Sequence, residues 1–138
     1  MPTACAPTVE NVPSTDLGRM YEEHIRLILD KDIEGILNQY TDDAVLISSF
    51  EKKPLYFRGR DQLRKHFQGI LAIEGLETRI AFWAETEQPQ TLMIVEAITL
   101  ETADGSATMR FADNWVLQDG KIAIHFAGMV QYPDGSLA

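Results

Sequence analysis

Residues 91–132 read TLMIVEAITLETADGSATMRFADNWVLQDGKIAIHFAGMVQY. Three runs rich in β-branched and apolar residues, 91–102, 106–118 and 121–132, are separated by Asp104-Gly105 and Asp119-Gly120. An Asp-Gly pair suits a tight hairpin, because both central positions of such a turn take positive φ. The spacing predicts three sequential antiparallel strands, and a fourth run over 77–85 extends the meander. Within 109–117 the odd positions are Met109, Phe111, Asp113, Trp115 and Leu117. Strand alternation therefore sets one acid on an apolar face. An ionised carboxylate in such surroundings needs a partner or a proton, which makes Asp113 a candidate for chemistry.

Upstream of the strands the period changes. Ser14, Thr15 and Asp16 offer N-caps, after which Leu17, Met20, Tyr21, His24, Leu27 and Ile28 recur at helical spacing. Asp32 caps a second, short helix marked by Ile33, Ile36, Leu37 and Tyr40. A strand is predicted over 44–49, strand pairing resumes at Tyr56 and Phe57 after Pro54, and Gly59 leads into a third helix over 61–71. Residues 1–13 carry three prolines without apolar periodicity and read as a mobile arm, leaving 14–138 as one domain. Helices first and long strands afterwards is an α+β order, with N-terminal helices packed on one face of a strongly curved antiparallel sheet.

The bulk properties narrow the function. The 138 residues suit a single domain that buries about two thirds of its unfolded surface. A formal charge of −9 argues against nucleic acid, since the best basic cluster, Arg58, Arg60, Arg64 and Lys65, stands beside acids. Acidity also disfavours anionic membranes, and no run approaches the ~20 apolar residues of a membrane span. The single cysteine, Cys5, excludes a disulfide framework, and the expected setting is cytoplasmic. Three histidines lack metal-ligand spacing, so neither a metal nor another cofactor is expected. The composition favours a neutral, apolar small-molecule ligand.

Three strings carry a family resemblance: Asp32-Ile33-Glu34-Gly35-Ile36-Leu37 running into Tyr40-Thr41-Asp42-Asp43-Ala44, then Phe57-Arg58-Gly59-Arg60-Asp61, and Val116-Leu117-Gln118-Asp119-Gly120-Lys121-Ile122. In order and spacing they resemble the nuclear transport factor 2-like superfamily, in its SnoaL-like and ketosteroid isomerase-like branch, over about 17–129. The resemblance implies a cone, a curved sheet wrapped around helices with a mostly apolar pocket at its open end, and a homodimer packed through the outer face of the sheet. It places Asp113 where the isomerases keep an acid that donates to the developing oxyanion, and His24 where they keep a tyrosine. Ser48 stands at the position of their catalytic base and cannot take a proton from carbon at neutral pH, which argues against steroid isomerisation. Ala127 stands where SnoaL-like cyclases and limonene epoxide hydrolases keep an aspartate. Ala97 and Thr99 replace the arginine and aspartate of the hydrolases, and Glu96 is assigned the opposite facing.

The expected site is accordingly Asp113, His125 and His24 as catalytic groups, with Ser48, Tyr56, Trp83, Phe111, Trp115 and Met129 around the substrate. His125 serves as base or proton shuttle oriented by Asp113, whose charge is expected to raise the histidine's pKa, and His24 donates to oxygen. The bland alternatives are an Asp113 satisfied by Trp115 or backbone donors, a space-filling His125, and a His24 at the surface or an interface. The expected activity is cofactor-independent acid/base chemistry (isomerisation, cyclisation, dehydration or epoxide opening) on a hydrophobic molecule. The rival is a non-catalytic ligand carrier or dimeric interaction protein.

Overall fold

The computed structural model describes residues 8–49, 53–70, 75–102, 105–132, 134 and 137. Helix α1, Asp16–Leu29, starts at Thr15, whose hydroxyl accepts the Gly18 N–H at 3.0 Å. Capping of that kind satisfies one of the N–H groups that the first helical turn leaves unpaired. The buried stripe Leu17, Tyr21, His24, Ile25, Leu27 and Ile28 follows from the sequence period. A second helix, α2 (Ile33–Asn38), is capped by Asp32 on the Gly35 N–H at 2.9 Å. A third, α3 (Gly59–Ile70), is tied to α2 across the surface by Arg60 and Arg64, both paired with Glu34.

Seven strands follow or interleave: β1 (Thr8–Glu10), β2 (Tyr40–Ser48), β3 (Leu55–Arg58), β4 (Gly75–Glu87), β5 (Gln90–Thr102), β6 (Gly105–Gln118) and β7 (Lys121–Gln131). Their spatial order is β1-β4-β5-β6-β7-β2-β3 in one curved, unclosed sheet. The β4 to β7 meander is antiparallel, as the Asp-Gly signals predict, and Asp119 and Gly120 have φ of 51° and 79°. Gly105 has φ 111°, while Asp104 lies outside the described residues. The sheet is mixed rather than purely antiparallel, because β2 runs parallel to β7 and β1 parallel to β4. Residues 8–10 of the stretch read as an arm thus join the sheet edge, and Cys5 lies outside the described residues.

Bulges decide which face several residues take. Ile80 pairs with Glu96 but Phe82 with Val95, so Ala81 is an extra residue that turns Phe82 outward and Trp83 toward Tyr21. A second irregularity sets Leu117 opposite Ile122 and Val116 opposite Ile124. Strict alternation along 121–132 groups Ile122 with Ile124 and Phe126 on the outer face. Skipping Ala123 instead brings Ile122 into the core with no exposure, while Ile124 and Phe126 remain exposed. The core lies between the helices and the inner face of the sheet, around Tyr21, Ile36, Leu37, Tyr40, Leu46, Leu63, Phe67, Leu92 and Trp115. A second cluster, Met109, Phe111, Met129 and Tyr132, occupies the same face further along β6 and β7.

Candidate functional site

Between the two apolar clusters runs a layer of polar side chains. Asp113 and His125 lie on neighbouring strands but are not direct partners, since Asp113 is opposite Ala127 and His125 opposite Trp115. The contact is diagonal across the ladder, and His125 Nε2 reaches Asp113 Oδ1 at 2.6 Å. On its other side, His125 Nδ1 meets the Tyr40 hydroxyl at 2.7 Å. Asp113 is also hydrogen-bonded to the side chain of Glu96 and to the backbone of Asn114. Glu96 in turn accepts the Tyr21 hydroxyl.

Glu96 corrects the sequence reading. It lies on the inner face, 3% exposed, in the series Leu92, Ile94, Glu96. The period-two alternation that singled out Asp113 on the next strand carries the same signal here, and following even positions along 92–100 finds it. Tyr21 and Tyr40 were legible only as core aromatics, because their hydroxyl partners come from strands 75 and 85 positions later.

Electrostatics assign the protons. A hydrogen bond between two carboxyl groups requires a proton on one of them. Burial, with Asp113 alongside, holds Glu96 well above the usual carboxylate range, so Glu96 carries that proton and donates. Burial pushes Asp113 up to about 6, opposed by its hydrogen bonds from Glu96 and the Asn114 backbone. Burial also keeps the Tyr40 phenol protonated, so it donates to His125 Nδ1 and leaves the ring hydrogen on Nε2, facing Asp113. The anticipated rise in the histidine's pKa is reversed. Desolvation outweighs the opposing electrostatic pull of the Glu96 carboxyl, weak once that group holds its proton, and takes His125 down to about 4, so its ring is neutral near pH 7.

His24 is buried, 6% exposed, not at the surface. Gln39 donates from Nε2 to the Met20 carbonyl at 3.1 Å, which turns its Oε1 to His24 Nδ1 at 2.9 Å. An oxygen there needs a hydrogen on Nδ1, so Nε2 is a lone-pair acceptor. Burial and the neighbouring His125 push this ring down to about 4 as well. The geometry makes His24 an acceptor where a donor was expected. His66, at about 4 by burial, is the third depressed histidine, its ring tilted against Phe57 at 4.7 Å between ring centres.

Of the expected substrate-contacting residues, Trp115 lies in this layer, with ring centres 5.3 Å from His24 and 5.8 Å from His125. Phe111 and Met129 pair across β6 and β7 in the second apolar cluster. Ser48 is fully buried on β2 beside Ala127. Trp83 is half-buried against Tyr21 and donates to Glu85 at 2.7 Å. Tyr56 is not brought to the group: it is 69% exposed, in register with Ile47, which pairs with Phe126 on the outer face. Among the described residues no group of three or more His, Cys, Asp or Glu side chains is arranged to hold a metal ion.

The SnoaL-like domain model matches residues 21–125. Among solved structures the chain is similar to SalBIII, an epoxide hydrolase/cyclase-like enzyme in pyran ring formation in polyether salinomycin, at 16% identity and TM-score 0.67, over 80% of this chain and 88% of that one. It is similar to AusH from Aspergillus nidulans at 13% identity and TM-score 0.70, over 92% and 94%. A third similar structure is RV0760c from Mycobacterium tuberculosis in complex with estradiol-17beta-hemisuccinate, at 17% identity and TM-score 0.67, over 83% and 93%. No curated protein sequence matches. These likenesses concern the fold, whereas the family match spans most of the chain. The chain belongs to the SnoaL-like domain family of the nuclear transport factor 2-like superfamily.

Proposed function

We propose that the protein is a cofactor-independent acid/base enzyme acting on a hydrophobic small molecule. The observation that carries this reading is the buried line Tyr21–Glu96–Asp113–His125–Tyr40. A core needs no such line, and burying five polar groups on one face is costly unless each is paired. Asp113 titrating at about 6 is close to the optimum for a general acid or base at neutral pH. Both nitrogens of His125 are engaged, so the expected roles exchange: Asp113 gives and takes the proton, Glu96 holds one in reserve, and His125 fixes the Asp113 carboxylate through Nε2–H. Phe111 and Met129, one step along the face, provide the apolar contact for a substrate. Ring opening, cyclisation, dehydration and isomerisation all fit a single proton-transfer group beside an apolar wall. The same reading includes a homodimer formed through the outer face of the sheet.

The test is turnover of small epoxides, enones and hydroxy-ketones by the wild type, Asp113→Asn, Glu96→Gln and His125→Ala. Loss of a general acid/base lowers rates by about 10²- to 10⁴-fold, so Asp113→Asn is expected to fall in that range. Turnover that survives Asp113→Asn defeats the assignment. Ligand-induced thermal stabilisation without turnover favours the carrier reading, in which Ser48 and Ala127 mark a site lacking its chemistry.

A further inference from the structure

Trp115 is a buried indole whose N–H has no partner among the described residues. It is 1% exposed, and its Nε1 makes no hydrogen bond. An orphaned buried donor forfeits its hydrogen bond to water without replacement, a penalty that a phenylalanine or leucine at this position avoids. Neighbouring polar atoms do not relieve it. Both nitrogens of His125 are used by Tyr40 and Asp113, and the Tyr21 hydroxyl, which donates to Glu96, makes no hydrogen bond with the indole. His24 spends Nδ1 on Gln39, and that is its only hydrogen bond among the described residues. Two adjacent rings, 5.3 Å apart and 70° between planes, thus present one unused donor and one unused acceptor.

We infer that Trp115 Nε1–H and His24 Nε2 together receive one hydroxyl group of the ligand, the indole donating to its oxygen and the imidazole accepting its hydrogen. The complement selects the chemistry. A ketone or ether can take the indole hydrogen but leaves Nε2 unmet, and a hydrocarbon leaves both. A carboxylate brings a second negative charge beside the one already shared by Glu96 and Asp113, in a setting that penalises ions. The ligand class is therefore a neutral, predominantly apolar alcohol. This inference rests on the small-molecule reading above but not on catalysis, and it gives Trp115 and His24 a binding role distinct from the proton transfer at Asp113.

The experiment is NMR of the full chain with three matched probes: benzyl alcohol, benzyl methyl ether and toluene. The chain has two tryptophans. Trp83 Nε1 is already bonded to Glu85, so its resonance, assigned through Trp83→Phe, is an internal control. Benzyl alcohol is expected to shift the Trp115 indole proton downfield and the unprotonated His24 Nε2 resonance upfield. The ether is expected to shift only the indole, and toluene neither. Trp115→Phe is expected to weaken benzyl alcohol binding about 3- to 10-fold relative to toluene, the equivalent of one hydrogen bond. Equal indole shifts with toluene, shifts confined to Trp83, or no Trp115 response at saturating probe overturn the inference. A long-lived water contact to the Trp115 indole that the alcohol fails to displace also overturns it. Trp115 and His24 responding in a protein without turnover separates failure of the enzyme reading from failure of this one.

Discussion

At the scale of the residue, one distance and one environment pull His125 in opposite directions. Its 2.6 Å contact with Asp113 favours charge, yet desolvation prevails and the ring titrates at about 4. Stability consequences follow with definite sign. His24, His66 and His125 have folded values below their ordinary 6.5, so the unfolded chain protonates first and stability falls as pH drops from about 6.5 toward 4. For fully buried His125 this amounts to roughly 2–3 kcal/mol. Asp113 acts oppositely: its value is raised to about 6, so its contribution is present below the ordinary carboxylate range and is withdrawn as pH rises through 6. Asp113→Asn removes that compensation, and its melting temperature is expected to fall more steeply than that of the wild type between pH 6 and 4. Superimposable profiles would show that Asp113 titrates like an ordinary carboxyl. Tyr40→Phe withdraws the donor from His125 Nδ1 and is expected to cost about 1–3 kcal/mol, read by chemical denaturation. Nitrogen-detected NMR of that variant is expected to show the Nδ1-protonated tautomer gaining population, which a purely packing role for Tyr40 does not produce.

At the scale of the element, the start of α1 is unusually confined. A Cβ built on Gly18 lies 1.9 Å from the Pro13 carbonyl oxygen, which is backbone and cannot rotate aside. Gly18→Ala therefore has to displace the 11–15 segment or the first turn of the helix. The expected cost is about 1–3 kcal/mol, although alanine is the better helix former by about 1 kcal/mol. A melting temperature equal to or above that of the wild type counts against this crowding. Sequence patterns identified every helix and the four long strands, because amphipathic period and Asp-Gly turns are local properties. Strand β2 begins at Tyr40 rather than at residue 44: Tyr40 pairs with Ile122 of β7 ahead of a register irregularity, and the polar stretch Thr41-Asp42-Asp43 that follows it lacks strand character in the sequence. The bulges at Ala81 and Ala123 have no local signature either, and they alone explain why Phe82 points outward and Ile122 inward.

At the scale of the whole molecule, the outer face of the sheet exposes large apolar side chains among the described residues. Phe82, Met93, Ile124, Phe126 and Val130 are each more than 40% exposed. One register row runs Tyr56, Ile47, Phe126, Asn114, Met93, Ala84 across six strands. This face is the one we propose for homodimer association, since exposed apolar patches of this kind favour a partner. Light scattering at micromolar concentration is expected to give twice the 15.5 kDa chain mass, and Phe126→Glu is expected to halve it. A wild-type monomer under those conditions removes the proposal. The sequence by itself determined the α+β order, the antiparallel meander and the isolation of Asp113 on an apolar face, because each depends on periodicity within a single strand or helix. Tertiary structure decided the rest. Only the pairing of β2 with β7 brings Tyr40 to His125, and only the register of β5 against β6 joins Glu96 to Asp113. Protonation was equally out of reach of the sequence, since the same Asp113–His125 contact carries opposite charge states in water and in a desolvated layer, and burial is a property of the assembled fold.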